Sequence, residues 1–228
     1  MALRRDLYVA CQIMAREDLV QAFGHFSARI PGTDQVLISP MMGLHAMAPG
    51  DIVTVDLDGN QVAGDAQAPM ETHLHLALYR RRRDVLAVAR THSTMAITFG
   101  SLGIPVRPVH NFGCVFPNGV PVFNRLLPNL NLVTTPKYGD AVARALGKEN
   151  AILLRGNGTA VVGRSVAEAC VRALLLEEAA ALQYRCLAVG RPRYYTKQEA
   201  AACERMWVIA LEEQRDRVWD YYRRKHGL

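Results

Sequence analysis

Cysteines are few in this chain, and their placement excludes two classes of small protein. The five residues Cys11, Cys114, Cys170, Cys186 and Cys203 are scattered and form no Cys-x-x-Cys pair. Their number is odd, whereas a disulfide framework usually uses an even number, and a structural zinc site usually uses Cys-x-x-Cys pairs. We therefore expect reduced thiols and a cytoplasmic location.

Long apolar runs are also missing. No window of the 228 residues supplies the roughly 20 consecutive apolar positions that a membrane helix needs. The opening Met-Ala-Leu-Arg-Arg-Asp lacks the apolar centre of a signal peptide. These two absences predict that no membrane is among the partners.

Aromatic residues are few in comparison with basic residues. The chain has 27 Lys and Arg against 21 Asp and Glu, a net charge of +6, and only 7% Phe, Trp and Tyr. The basic runs at 80–83 and 223–225 fall at predicted helix ends, where cations complement the helix dipole. Nucleic-acid surfaces interleave basic residues with stacking aromatics. We therefore expect a small-molecule substrate and no nucleic acid.

The hydrophobic pattern predicts one domain over residues 1–228 that mixes helices and strands. Helical periodicity covers 3–15, 19–22, 71–79, 92–99, 137–146, 165–189 and about 196–224. Strand patterns bounded by turn residues cover 25–30, 36–39, 52–57, 61–63, 86–92, 151–154 and 159–162. The first third is predicted to be mostly antiparallel sheet, and 110–135 to be an irregular excursion able to cover a site.

The chain is organised around residues 70–92. Glu71 opens an amphipathic helix, and His75 lies one turn further on the same face, whereas His73 points to the opposite side. A buried strand then ends at His92, where the first turn of the next helix is expected to leave backbone amides free. A carboxylate and an imidazole that converge at a strand end predict a metal or acid/base site.

Several short motifs, in this order, resemble the class II aldolase/adducin family over nearly the whole chain. They are Gly-His-Phe-Ser-Ala-Arg at 24–29, Leu-Ile-Ser-Pro at 37–40, Asp-Ile-Val at 51–53, Glu71 with His75, Thr-His-Ser at 91–93 and Leu-Leu-Arg-Gly-Asn-Gly at 153–158. The first motif and Val-Arg-Pro-Val at 106–109 are most similar to the branch of aromatic-acid decarboxylases and non-haem-iron oxygenases. The resemblance implies a three-layer α/β/α sandwich around a mostly antiparallel sheet.

The resemblance also implies a ring-shaped homotetramer with sites between subunits. The last predicted helix, about 196–224, carries aromatic residues at helical spacing, and we expect it to pack on the core or on a neighbouring subunit. In the family's enzymes three histidines hold a divalent cation beside a glutamate. Here those three positions are Arg90, His92 and Asn157. Arginine cannot serve as a ligand, and the asparagine amide is a poor one for zinc.

Two interpretations of this altered triad remain open. Zinc, manganese or iron is held by another set, Glu71 and His92 with His73 or His110. Alternatively there is no metal, and Arg90 supplies the positive charge for a carboxylate or enolate.

The residues that bind phosphate in the family's sugar-phosphate aldolases are replaced by Met41-Met42-Gly43 and Pro69-Met70. These apolar residues favour a non-phosphorylated, aromatic or β-keto substrate. We predict substrate contacts for six residues, which are His25, Ser27, Arg29, Met42, His110 and Asn157.

The leading hypothesis is a divergent lyase that decarboxylates such a compound, or cleaves or forms a carbon–carbon bond by aldol chemistry. Glu71 would move the proton with His92 as partner, and Arg90 would bind the anionic oxygen. The alternatives are a non-haem-iron oxygenase and a non-catalytic, adducin-like assembly protein.

Overall fold

The fold is an eight-stranded sheet covered by helices on both faces. A computed structural model describes residues 2–209 and 211–228, with side chains for 2–206 and 215–228. The helices are α1 (Ala2–Arg16), α2 (Thr72–Arg81), α3 (Thr94–Leu102), α4 (Pro128–Asn131), α5 (Pro136–Leu146), α6 (Val166–Val189), α7 (Lys197–Ile209) and α8 (Leu211–Lys225). Short 3-10 segments occupy Leu44–Ala46, Pro49–Asp51 and Asn111–Val115. Within the described residues, none of these helices combines the length and apolarity needed to cross a membrane.

The sheet is antiparallel except at one edge. Its strands are β1 (His25–Arg29), β2 (Gln35–Ile38), β3 (Val53–Asp56), β4 (Gln61–Ala63), β5 (Ala87–Thr91), β6 (Val122–Phe123), β7 (Ala151–Leu154) and β8 (Gly158–Gly163). They lie in the order β4-β3-β2-β1-β5-β8-β7-β6, and only β6 and β7 are parallel. The two central strands, β1 and β5, are aligned so that His25 faces Arg90 across the ladder.

Each face of the sheet has its own apolar core. On one face α2 and α5 pack together and bury residues such as Leu76 and Val142 against β2, β3 and β5. On the other face α1, α3 and α6 bury Phe26 and Ala89. Side chains alternate between the faces along a strand, so Phe26 faces α1 and α6 while its neighbours His25 and Ser27 face α2. The predicted α/β/α sandwich is confirmed.

Two local predictions are wrong. Residues 19–22 form no helix, because Asp18 and Gln21 adopt positive φ angles of 56° and 39° that interrupt it. The first turn of α3 does not leave its amides free near His92. The Glu177 carboxylate of α6 accepts hydrogen bonds from the amides of Met95 and Ala96, at 2.8 and 3.0 Å.

The C-terminal region packs on its own chain. Val218, Trp219 and Tyr222 of α8 contact the core that also contains α1 and α6. Lys225 and His226 each place a nitrogen 2.6 Å from the Glu17 carboxylate. One predicted helix, 196–224, corresponds to α7 and α8, and residue 210 lies outside the described residues. Contact of this region with a neighbouring subunit stays a prediction.

Candidate active site

The site lies between strand β1 and helix α2, whose side chains have similar spacings along the two elements. Side chains two residues apart on a strand are about 6.6 Å apart, and side chains four apart on a helix are about 6.0 Å apart. The two elements can therefore face each other over several side chains in succession. The facing side chains are His25, Ser27 and Arg29 from β1 and Glu71, His75 and Tyr79 from the start and body of α2.

Four of these side chains form a buried hydrogen-bonded chain. His25 Nδ1 lies 2.6 Å from His75 Nε2, and His75 Nδ1 lies 2.6 Å from Ser27 Oγ. Ser27 Oγ in turn lies 2.8 Å from the Tyr79 hydroxyl. Arg29 donates to the Tyr79 carbonyl, and its guanidinium lies 5.2 Å from the ring centre. This network connects the mouth of the site with the core.

Arg90 lies beneath the site and is fully buried. It shares the α2-facing side of β5 with Val88. Its guanidinium donates to the backbone carbonyls of Thr91 at 2.6 Å and Asn157 at 2.5 Å. Its Nε lies 3.2 Å from Glu71 Oε2 as an ion pair. Both Nη nitrogens thus donate to backbone carbonyls, Nε makes the ion pair without hydrogen-bond geometry, and Arg90 is not on the cavity wall.

Glu71 is a buried carboxylate that stays ionised. Burial alone would raise its pKa, but the charge of Arg90, together with His25 and the Val133 amide, holds that pKa well below its usual range. The Val133 amide donates to Oε1 at 2.9 Å. His25 Nε2 lies 3.6 Å from Oε2, which is longer than a hydrogen bond.

Glu71 and His25 form the floor of a cavity of about 480 Å³. The apolar part of its wall comes from Ala22, Phe23, Gly24, Pro40, Met41, Met42, Pro69, Met70, Leu130 and Leu132. The polar part consists of four residues, His25, Glu71, His92 and Asn157. No Lys or Arg side chain is among the lining residues that the structure describes.

His92 is the imidazole that follows β5 on the cavity wall. Desolvation and the charge of Arg90 lower its pKa to about 4, so it is neutral at pH 7. Its Nδ1 is buried and has no hydrogen-bond partner among the described residues. A neutral ring keeps one nitrogen lone pair, and because Nδ1 is buried, Nε2 is the nitrogen left to accept a ligand proton.

The side chains present do not fit the family's metal site. The described residues contain no group of three or more His, Cys, Asp or Glu side chains that could hold an ion. The Arg90 guanidinium is paired with Glu71, and the Asn157 amide nitrogen donates to the Asn131 carbonyl at 2.7 Å. A permanent cation beside Glu71 opposes the binding of a second cation there.

The structure brings together most of the predicted site residues. Glu71, His92, His25, Met42 and Asn157 line the cavity. Ser27 and Arg29 lie behind it, in the buried network, and Arg90 lies under its floor. Direct binding of a substrate oxygen by Arg90 is not supported by this placement, because its side chain has no exposed surface.

Two predicted residues lie elsewhere. His110 contacts Phe112, with ring centres 5.9 Å apart, before the 3-10 segment Asn111–Val115. His73 lies on the opposite side of α2, beside Gly59. Neither lines the cavity, so neither can complete a ligand set with Glu71 and His92 in this arrangement.

Phe23, Leu130, Leu132 and the Val133 amide were not predicted from the sequence. Leu130 and Leu132 belong to the irregular segment 110–135. The sequence predicts that this segment can cover the site, but it does not indicate which of its residues do so. Tyr79 was also missed as a partner of the site. A signal existed for it, because Tyr79 is two helical turns after Glu71 on the same face.

Comparison with known proteins agrees with this fold. The model of the family described as Class II Aldolase and Adducin N-terminal domain matches residues 5–184. A 3,4-dihydroxyphthalate decarboxylase from Arthrobacter keyseri is 30% identical over 202 residues, which cover 82% of this chain and 79% of that protein. A 5-deoxy-D-ribulose 1-phosphate aldolase from Bacillus thuringiensis serovar kurstaki is 27% identical over 170 residues, covering 72% and 75%.

A solved structure shows the same architecture. An L-fuculose 1-phosphate aldolase from Glaciozyma antarctica PI12 superposes with a TM-score of 0.84 at 23% identity, over 99% of this chain and 90% of that one. The two relatives by sequence are a decarboxylase and an aldolase, both of which are lyases of carbon–carbon bonds. The family match and the fold together confirm the resemblance, and the chain belongs to the class II aldolase and adducin family.

Proposed function

We propose that this protein is a carbon–carbon lyase that decarboxylates a small, non-phosphorylated aromatic carboxylate carrying a ring hydroxyl. The observation that supports this most is the cavity itself. Its walls are apolar, and its floor holds a neutral imidazole, His92, beside an ionised carboxylate, Glu71.

The cavity wall favours a flat ring over a sugar phosphate. Phosphate sites are built from Arg, Lys or clustered backbone amides. This wall instead presents Met41, Met42 and Met70, whose flexible thioethers pack well on aromatic faces. The described lining contains no cationic side chain, so it lacks the charged groups that phosphate sites use.

The chemistry uses an internal proton transfer. Neutral His92 accepts the proton of the ring hydroxyl, which raises the electron density of the ring. The imidazolium then returns that proton to the ring carbon that bears the carboxylate. The carbon–carbon bond breaks, its electron pair restores the aromatic ring, and carbon dioxide leaves. A proton from solvent restores the hydroxyl, so the net reaction takes up one proton and releases one carbon dioxide.

Glu71 and Arg90 have supporting parts in this scheme. The carboxylate of Glu71 is held ionised, so it acts as an acceptor and stabilises the protonated form of His92 by its charge. Arg90 is a positioning residue, because it contacts Glu71 and two carbonyls and does not line the cavity. The positioning role takes the place of the role expected from the sequence, in which Arg90 binds the anionic oxygen of the substrate directly.

The relatives support the reaction type. The decarboxylase named above acts on a dihydroxylated aromatic diacid, as its name states. We infer that the substrate of this protein belongs to the same chemical class, a hydroxylated benzene carboxylate or dicarboxylate.

We also propose a homo-oligomer. Apolar side chains at the cavity mouth are strongly exposed in the single chain, including Phe23 at 74%, Met70 at 58% and Leu130 at 91%. Exposed apolar clusters of this kind mark binding surfaces, and a second copy is the occupant that the family implies. The mass in solution, measured by light scattering, tests this directly.

The test of the proposed function is a decarboxylation assay on a panel of hydroxylated benzoates and phthalates in deuterated water. We expect carbon dioxide release and a deuteron at the carbon that carried the carboxylate. His92→Gln should lose most of this activity. His45→Gln, an exposed histidine outside the cavity, is the matched control and should retain it.

Other outcomes separate the alternatives. Oxygen consumption without carbon dioxide release would favour an oxygenase. Binding of the panel without turnover, unchanged by His92→Gln, would favour an assembly protein.

A further inference from the structure

The hydrogen-bonded chain behind His25 has no part in the chemistry proposed above. It runs from His25 through His75 and Ser27 to Tyr79, with links of 2.6, 2.6 and 2.8 Å. All four side chains are buried, with His25 the most exposed of them at 7%. Buried polar chains of this length are costly unless every proton has an acceptor, so the direction of the protons can be worked out.

The inner end of the chain sets that direction. Burial raises the pKa of the Tyr79 phenol, so it keeps its proton. The phenol therefore donates to Ser27 Oγ, since Ser27 is its described side-chain partner. The Ser27 hydroxyl then donates to His75 Nδ1. With Nδ1 an acceptor, neutral His75 carries its proton on Nε2 and donates it to His25 Nδ1.

The outer end of the chain is consistent with this direction. With Nδ1 an acceptor, neutral His25 carries its proton on Nε2, which faces the Glu71 carboxylate 3.6 Å away. The reverse direction would turn a nitrogen lone pair toward that anion. It would also leave the Tyr79 hydroxyl proton without an acceptor among the side-chain partners that the described residues provide. Burial lowers the pKa values of both histidines, which is consistent with two neutral rings.

We propose that Tyr79, Ser27 and His75 are positioning residues that fix His25 as the Nε2–H tautomer, so that His25 and Glu71 together bind one hydroxyl of the substrate. The hydroxyl oxygen accepts from His25 Nε2 and its proton is donated to Glu71 Oε2. The separation of 3.6 Å between these two atoms is too long for a direct hydrogen bond and leaves room for an oxygen bonded to both. The ligand class rests on the proposed function, whereas the tautomer does not.

This arrangement selects for a hydroxyl in a particular way. A hydroxyl can donate and accept at once, a methoxy group can only accept, and a carboxylate would be repelled by Glu71. The catechol-like diol of a dihydroxylated ring offers one hydroxyl to this pair and a second to His92. Discrimination by paired buried groups is stronger than discrimination by an apolar wall.

The experiment is nitrogen NMR of protein labelled with 15N at histidine, without ligand and at pH 7. We expect His25 and His75 each to show a protonated Nε2 and an unprotonated Nδ1, with assignment by a His25→Asn variant. Ser27→Ala should convert His75 and His25 to a mixture of tautomers. Tyr79→Phe, which keeps the ring volume, should do so to a smaller degree and remains available if Ser27→Ala does not fold. Tyr138→Phe, a phenol on α5, is the control and should change neither ring.

Binding completes the test, with catechol and its dimethyl ether, which has no hydroxyl, as probes. The wild type should bind catechol at least tenfold tighter than the ether, and Ser27→Ala should lose most of that difference while binding the ether unchanged. A protonated Nδ1 on His25, a doubly protonated His25, or a tautomer unaffected by both variants would overturn the inference. Expected tautomers without any decarboxylation would instead leave the inference standing and remove the proposed function.

Discussion

Glu71 and Arg90 form an ion pair at 3.2 Å beneath the cavity, and both side chains are almost completely buried. Besides the pair itself, two contacts orient each group: Val133 and His25 for Glu71, and the carbonyls of Thr91 and Asn157 for Arg90. The pair thus places a permanent cation where relatives of this family are expected to hold a metal, and it holds Glu71 in its charged form.

Removing one member of this pair should be costly. Arg90→Met leaves the Glu71 carboxylate buried without its cation, and breaking a buried pair in this way typically destabilises a protein by about 3–5 kcal/mol. Chemical denaturation of the two proteins measures the loss. The double variant Glu71→Gln, Arg90→Met removes both charges and should recover part of the stability. A single variant as stable as the wild type would show that the pair contributes little.

The ionised state of Glu71 also predicts a pH dependence of stability. Its folded pKa is depressed, so its contribution is fully present above the ordinary value of 4.5 and is lost as the pH falls toward the folded pKa. Denaturation midpoints between pH 6 and pH 3 should therefore fall less steeply in Glu71→Gln than in the wild type. Parallel curves for the two proteins would contradict this.

Protonation of His92 should determine the pH below which the activity falls. Because its pKa is lowered to about 4, it is neutral above that pH, and kcat/KM of the decarboxylation should begin to fall near pH 4. An unperturbed histidine would place this fall near its ordinary value of 6.5. A pH profile of the free enzyme distinguishes the two, since kcat/KM reports free-enzyme groups.

We expect that Gly158, at the start of the strand beside Arg90, cannot be replaced by a larger residue without loss of stability. Its φ is +100°, and an added Cβ would overlap the Thr91 carbonyl and approach Arg90 Nη1 at 2.5 Å. Gly158→Ala should therefore destabilise the protein by more than about 1 kcal/mol, because alanine is strained at positive φ even without a clash. Gly190→Ala is the matched control, since nothing lies within 4 Å of the position that its added Cβ would take. Thermal unfolding of the pair measures both effects.

A substitution at Met42 measures how much the apolar wall of the cavity contributes to substrate binding. Met42 lines the cavity and is 38% exposed in the chain without ligand. Met42→Ala removes part of the surface that would contact a ring, and losses of this kind in apolar pockets start at about tenfold. We expect KM for an aromatic acid to rise by about that factor with kcat little changed. A change confined to kcat would place Met42 in another role.

Much of this architecture was predictable from local chemistry. The strand β7 lies at 151–154 as predicted, and α6 begins after Ser165, whose hydroxyl accepts from the Glu168 amide at 3.1 Å. Such features depend on residues a few positions apart. Glu71, His75 and His92 were found for the same reason, because helical and strand periodicity reports which face a side chain occupies.

The remaining features depend on which elements meet. Glu177 lies 82 residues from the Met95 amide that it caps, so no local pattern could show that the amides of α3 are occupied. The Val133 amide reaches Glu71 from 62 residues away. The direction of Arg90 likewise follows from the carbonyls of Thr91 and Asn157, which are placed by the pairing of β5 with β8.

The most direct measurement of the central claim is carbon dioxide release from a hydroxylated phthalate by protein dialysed against a chelator, with metal content determined on the same sample. We predict that turnover persists when far less than one metal ion per chain remains, because Arg90 supplies the fixed positive charge beside Glu71. Loss of turnover on chelation, with recovery on addition of zinc, manganese or iron, would contradict this.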